Sequence, residues 1–120
     1  MLIAEDENFI AKALMHKLVA AGIEVRIAKN GLEGLKMLQD DGIDLALVDI
    51  LMPRMDGLNM LREFQKGKKR KVPVLVLTNV PRIGATPAEL NQLGVIGTII
   101  KAEMPLSKVA ERVISILAAE

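Results

Sequence analysis

Cysteine, tryptophan and tyrosine are absent from this chain, histidine occurs once and phenylalanine twice. Without cysteine there is no disulfide, redox pair or thiolate metal site, and the single His16 cannot build a zinc centre alone. Carboxylates are the metal ligands that remain. The scarcity of aromatic rings removes the platforms on which nucleic-acid bases stack, and the sandwich a flavin ring would need. No apolar run approaches the ~20 residues of a membrane-crossing helix. The amino terminus, MLIAEDE, lacks the basic start and long apolar stretch of a secretory signal. A cytoplasmic protein with no membrane partner is expected.

What is present fits one domain spanning residues 1–120: a chain of 120 residues, 51% apolar, can bury a core without a structural metal. Its net charge of +1 hides an asymmetry. Residues 1–60 carry ten acids against six bases, and residues 61–120 carry five against ten. The run KGKKRK at 66–71 reads as a solvated loop, and with no recognition helix or stacking platform beside it a nucleic-acid partner is not expected. His16 reads as a surface or boundary residue, and the seven methionines as core filling.

Short apolar runs alternate with longer helical stripes, the pattern of repeated strand and helix units. Strands are expected over 2–4, 24–28, 44–48, 74–77 and 98–100. The runs LALV and VLVL lack polar alternation, as strands covered on both faces do. Helical spacing joins Phe9, Ile10, Ala13, Leu14, Leu18 and Ala21 before Gly22, then Leu32, Leu35 and Leu38 within 31–39, then Leu58, Leu61 and Phe64 before Gly67. Thr86 reads as the cap of a short helix from Pro87 through Leu93, and Pro105 as the first residue of the last helix. Five strands and five helices predict an α/β, doubly wound parallel sheet in the order 2-1-3-4-5. Its ligand crevice lies outside the carboxyl ends of strands one and three.

Those ends read Glu5-Asp6-Glu7 and Asp49, so several carboxylates converge on the crevice. Asp6 and Glu7 also suit a helix amino terminus, but a cap does not account for Asp49. Two ionised carboxylates about 5 Å apart repel by roughly 3 kcal/mol at an effective dielectric near 20. A hard divalent cation such as Mg2+ relieves that repulsion. Thr78 ends strand four and Lys101 ends strand five. An acid cluster with a cation, a carboxylate nucleophile, a hydroxyl and a lysine is a set suited to phosphoryl transfer.

The segments LIAEDE, LVDILMPRMDG, PVLVLTN and GTIIK, in this order and spacing, resemble the response regulator receiver domain of two-component signalling, the flavodoxin-like receiver fold, across essentially the whole chain. The resemblance implies a phosphorylation switch that takes a phosphoryl group from a histidine kinase onto Asp49. It implies that Asp6 and Asp49 bind Mg2+ directly, that Glu5 acts on the metal, often through water, and that the backbone carbonyl of Leu51 completes the ligands. Lys101 would pair with the phosphoryl group, Thr78 would turn to hydrogen-bond it, and the backbone amide of Asn79 would donate as well. Asp56-Gly57 looks like the family's turn rather than a second active acid. The chain reads as a single-domain, chemotaxis-regulator-like switch, monomeric or weakly dimeric, or as a piece of a longer protein, with an unknown downstream protein as output.

Three departures from the family pattern stand out. Thr98 occupies the place of the aromatic switch residue, so signalling through helix four, strand five and helix five would proceed without its rotation, with Arg82, Ile83 and Val95 as contact candidates. Ala102 follows Lys101 where the family has a cis-linked proline, which leaves the conformation of that peptide open. Leu51 and Val80 are apolar where the family tunes access of hydrolytic water. The alternative is a receiver-like interaction module that is not phosphorylated. An aspartyl-phosphate phosphatase would want an acid where Leu51 stands.

Overall fold

The computed structural model describes residues 1–40, 42–67 and 70–119. Five strands, β1 (Leu2–Ala4), β2 (Arg26–Ala28), β3 (Ala46–Val48), β4 (Val74–Thr78) and β5 (Val95–Ile100), form one parallel sheet in the order β2-β1-β3-β4-β5. The helices are α1 (Asn8–Ala20), α2 (Gly31–Leu38), α3 (Gly57–Gly67), α4 (Pro87–Gln92) and α5 (Leu106–Ala118). The doubly wound sheet and its order agree with the sequence pattern.

Alternation along each strand sends side chains to two cores. Ile3, Leu47, Leu75, Leu77 and Ile99 pack with Leu14 and Leu18 of α1 and Val109 and Val113 of α5. Leu2, Ala4, Val48, Val74 and Val76 pack on the other face with Leu38 of α2 and Leu58, Met60 and Leu61 of α3. Both faces are therefore covered, which is why β3 and β4 read as unbroken apolar runs.

Several boundaries differ from the sequence reading. β2 begins at Arg26 rather than 24, because β1 offers partners only from Leu2 onward and Glu24 is used otherwise, its carbonyl accepting from the Met1 amino group at 2.6 Å. β3 begins at Ala46 rather than 44, where its pairing with both β1 and β4 starts. β5 begins at Val95, three residues before 98. Gly97 pairs with Leu75 inside the strand, where a side chain would press on Leu75 and Arg112.

Helix ends follow known chemistry. Gly22, at φ +86°, closes α1. Thr86 caps α4 through its Oγ1, which accepts from the Glu89 amide at 3.1 Å, with Pro87 in the first turn. Pro105 does not open α5 from within; with ψ of 149° it is the flanking N-cap residue, its carbonyl accepting from Lys108 and Val109. No side chain of α4 is buried. It is held by half-buried Leu90 and the C-cap Leu93, which pack on the core, by Arg62 of α3, whose Nε and Nη2 each meet a Glu89 oxygen at 2.8 Å, and by Gln65 Nε2 donating to the Gln92 carbonyl at 3.2 Å.

The basic run at 66–71 is more than a solvated loop. Lys68 and Lys69 lie outside the described residues. Arg70 turns inward and donates to the carbonyls of Leu38, Asp40 and Ile43, tying the end of α2 to the approach to β4. Among the described residues, no helix is long and apolar enough to cross a membrane.

Candidate functional site

The strand ends deliver the acids and the lysine to one place. Glu5 leaves β1 and Asp49 leaves β3, adjacent strands, and both are buried, at 2% and 5% exposure. Asp49 is set by its backbone, whose amide donates to the Ala4 carbonyl at 2.9 Å. Beyond it the chain turns sharply, with Arg54 in the left-handed region at φ 68°. The first residue of α3, Gly57, then passes directly under the Asp49 carbonyl. A β-carbon at that glycine would collide with the carbonyl oxygen, so only glycine lets the helix start this close to Asp49. Asp56 serves the helix as a cap, its Oδ1 accepting from the Asn59 amide at 2.7 Å.

Lys101 reaches from the end of β5 into the acids. Its Nζ donates to Asp49 Oδ2 at 2.6 Å and to Glu7 Oε2 at 2.7 Å, and lies 2.7 Å from Glu5 Oε1. The last of these is an ion contact without hydrogen-bond alignment, so Glu5 Oε1 is a buried oxygen with no hydrogen-bond donor. The other Glu5 oxygen accepts from the Glu7 amide at 3.1 Å. Burial pushes the Glu5 carboxyl up to about 7, assisted by the charge of Asp49 and opposed by Lys101 and the Glu7 amide. Burial alone would depress the Lys101 ammonium. Its hydrogen bonds to Asp49 and Glu7 and its ion contact with Glu5 prevail and hold it above the ordinary lysine range.

Carboxylate oxygens of Glu5, Asp6 and Asp49 lie within 4.8 Å of one another. Three hard oxygen donors, one of them buried and short of a hydrogen-bond donor, fit a small divalent cation better than a lysine alone. Leu51 adjoins this group, its amide donating to Asp49 Oδ1 at 3.3 Å while its side chain faces outward. Thr78 is fully buried at the end of β4, its Oγ1 accepting from the Val80 amide at 3.3 Å. Thr98 is exposed and pairs with Val76 across the sheet.

Two contacts were not foreseen. Glu7 stands at the N-cap of α1 but its side chain caps nothing and goes to Lys101 instead; its place in the run Glu5-Asp6-Glu7 was the available signal. The Asn79 side chain accepts at Oδ1 from the Ala102 amide at 2.9 Å, and nothing in the spacing announces it. Residues 101–103 form a short 3-10 turn, and no peptide bond among the described residues is cis, so the Lys101–Ala102 link is trans.

A parallel sheet whose first and third strands present acids to a lysine from its fifth defines a receiver-type domain. The chain belongs to the response regulator receiver domain family, whose model matches residues 1–113. Receiver domains are the phosphorylation switches of two-component response regulators, signalling devices rather than turnover enzymes; the family interacts with histidine kinases and binds Mg2+ in its acidic pocket.

Among curated relatives, a probable transcriptional regulator, ycf27, of Cyanidium caldarium is 38% identical over 65% of this chain and 30% of its own length. The response regulator MprA of Mycobacterium tuberculosis is 35% identical over 65% and 34%. The matched region thus spans about a third of these relatives. Among solved structures, a CheY-like receiver domain protein from Methanospirillum hungatei superposes with a TM-score of 0.79 at 25% identity, covering 98% of this chain and 92% of the other. The response regulator TrrA of Thermotoga maritima, solved in complex with Mg2+ and BeF, gives 0.75 at 28% identity, with 95% of each chain covered.

Proposed function

We propose that residues 1–120 act as one receiver domain that accepts a phosphoryl group on Asp49 from the phosphohistidine of a histidine kinase. The observation that carries this is Lys101 Nζ, 2.6 Å from Asp49 Oδ2 at the meeting point of the Glu5, Asp6 and Asp49 carboxylates. An Asp49 oxygen forms the new bond to phosphorus as the bond from phosphorus to the donor's leaving atom breaks. Lys101, drawn away from Asp49 by the incoming oxygens, neutralises their charge. The Thr78 hydroxyl, which accepts a hydrogen bond now, retains its own proton to donate to a phosphoryl oxygen. The Asn79 backbone amide supplies a further donor.

Asp6 and Asp49 would hold Mg2+ directly, with the Leu51 carbonyl, and Glu5 through water; the ion supplies charge neutralisation at the phosphoryl oxygens. Signal leaves through the face of α4, β5 and α5 toward a downstream protein. Arg82, Ile83 and Val95 lie near that face and Thr98 gives no aromatic rotation. The setting is cytoplasmic, and the domain is a monomer or weak dimer.

Labelling with acetyl phosphate and Mg2+, read by intact mass, tests the proposal. One phosphoryl group on the wild type and none on Asp49→Asn is expected. Labelling that survives Asp49→Asn and maps to serine or threonine overturns it. A wild type that takes up no phosphoryl group supports the alternative of an unphosphorylated interaction module.

A further inference from the structure

Lys101 has two anchors of different kinds. Its ammonium is held by acids, but its backbone lies in the 3-10 turn of Lys101–Glu103, which must be fixed for the side chain to point at Asp49. The second residue of that turn, Ala102, carries an N–H, which a proline there would lack. That N–H donates to Asn79 Oδ1 at 2.9 Å, across 23 residues of sequence. Asn79 directly follows Thr78, the buried hydroxyl at the end of β4. One side-chain hydrogen bond therefore joins the loop that carries the hydroxyl to the turn that carries the lysine.

We infer that the Asn79 side chain is a positioning residue: by accepting from the Ala102 amide it sets the Lys101 turn, and it makes the Thr78 loop and Lys101 move as a unit when an anion binds at Asp49. This role rests on the reading of Asp49 as the phosphoryl acceptor. It is separate from any contact made by the Asn79 backbone amide, which an alanine at 79 would keep. Because β4 and β5 are already paired at their ends, Thr78 opposite Ile100, the bond extends their coupling one step beyond the sheet, into the two loops that flank the site.

The test is titration of the full chain with beryllofluoride in the presence of Mg2+, followed by amide chemical shifts, on wild type, Asn79→Ala, Lys101→Met and the double variant. Asn79→Ala is expected to weaken beryllofluoride binding by about 3–10-fold, the worth of one modest hydrogen bond. Its Ala102 amide proton should move upfield and exchange faster. In the Lys101→Met background the same substitution should change affinity little, because its effect passes through the lysine. Loss of affinity undiminished in that background overturns the inference, since Asn79 would then act on the anion directly. So does unchanged affinity accompanied by a shifted Ala102 signal. A wild type that binds no beryllofluoride overturns the acceptor reading itself, and this role with it, and is distinguishable because all four proteins would then be silent.

Discussion

Removing the ionisable group at Glu5 should abolish part of the protein's response to pH. In the metal-free protein the Glu5 carboxyl is held at about 7 against an ordinary 4.5, with burial as the leading cause. A folded-state value above the unfolded one means that the folded protein binds the proton more tightly. The stabilisation is then fully present below about pH 4.5 and is lost as pH rises through about 7. The difference of about 2.5 pH units, at about 1.4 kcal/mol each, sets a ceiling of about 3 kcal/mol on the loss. Glu5→Gln keeps the shape and cannot ionise. Urea unfolding of both metal-free proteins at about pH 5 and about pH 8 should show the wild type losing roughly 1–3 kcal/mol relative to the variant across that interval. Saturating Mg2+ should shrink the difference, because a cation favours the ionised carboxylate. Parallel pH profiles for the two proteins, or a wild type that gains on the variant at high pH, would refute the reasoning.

Divalent cation should raise the melting temperature, and Asp6→Asn should blunt the rise; a variant that keeps the full increment would make Asp6 irrelevant to the metal. Gly57→Ala should destabilise by about 1–3 kcal/mol and slow phosphoryl labelling, as its methyl must push the Asp49 carbonyl aside; chemical denaturation and a labelling time course read both effects. Arg70→Ala, which releases the carbonyls of Leu38, Asp40 and Ile43, should cost about 1–3 kcal/mol in the same unfolding assay without altering labelling at Asp49. Amide shifts on adding beryllofluoride and Mg2+ should spread from Asp49 through Thr78 to residues 80–86 and 95–104; changes confined to the loops after β1 and β3 would remove the proposed output route.

The sequence was most legible where physics is local and repetitive. VLVL, without polar alternation, matched a covered strand, and the placement of Asp49 and Lys101 followed from strand ends in a doubly wound sheet. It was least legible where a residue's ordinary use hides a particular one. Strand five was expected only from 98, because nothing local shows that Leu75 and Arg112 crowd the vacant side of Gly97 inside it. Arg70 sits in a run of lysines, and only the fold brings the Leu38 carbonyl to it, 32 residues away in sequence. Glu7 looks like a helix-starting acid until β5 places Lys101 beside it, across 94 residues. Asn79 gave no periodic signal at all, since a single hydrogen bond between two loops leaves no pattern in either.

The way α4 is attached bears on how the protein fluctuates at rest. A helix of six residues, none fully buried, touches the core through half-buried Leu90 and is clipped to α3 by one arginine–glutamate pair and one glutamine, so little holds it beside the strands. Its amides should therefore trade deuterium through small openings, well ahead of those in β3 and β4, whose release requires global unfolding. Brief departures of this segment would be sampled thermally in the resting protein. A signal at Asp49 then has only to tilt a population that already exists.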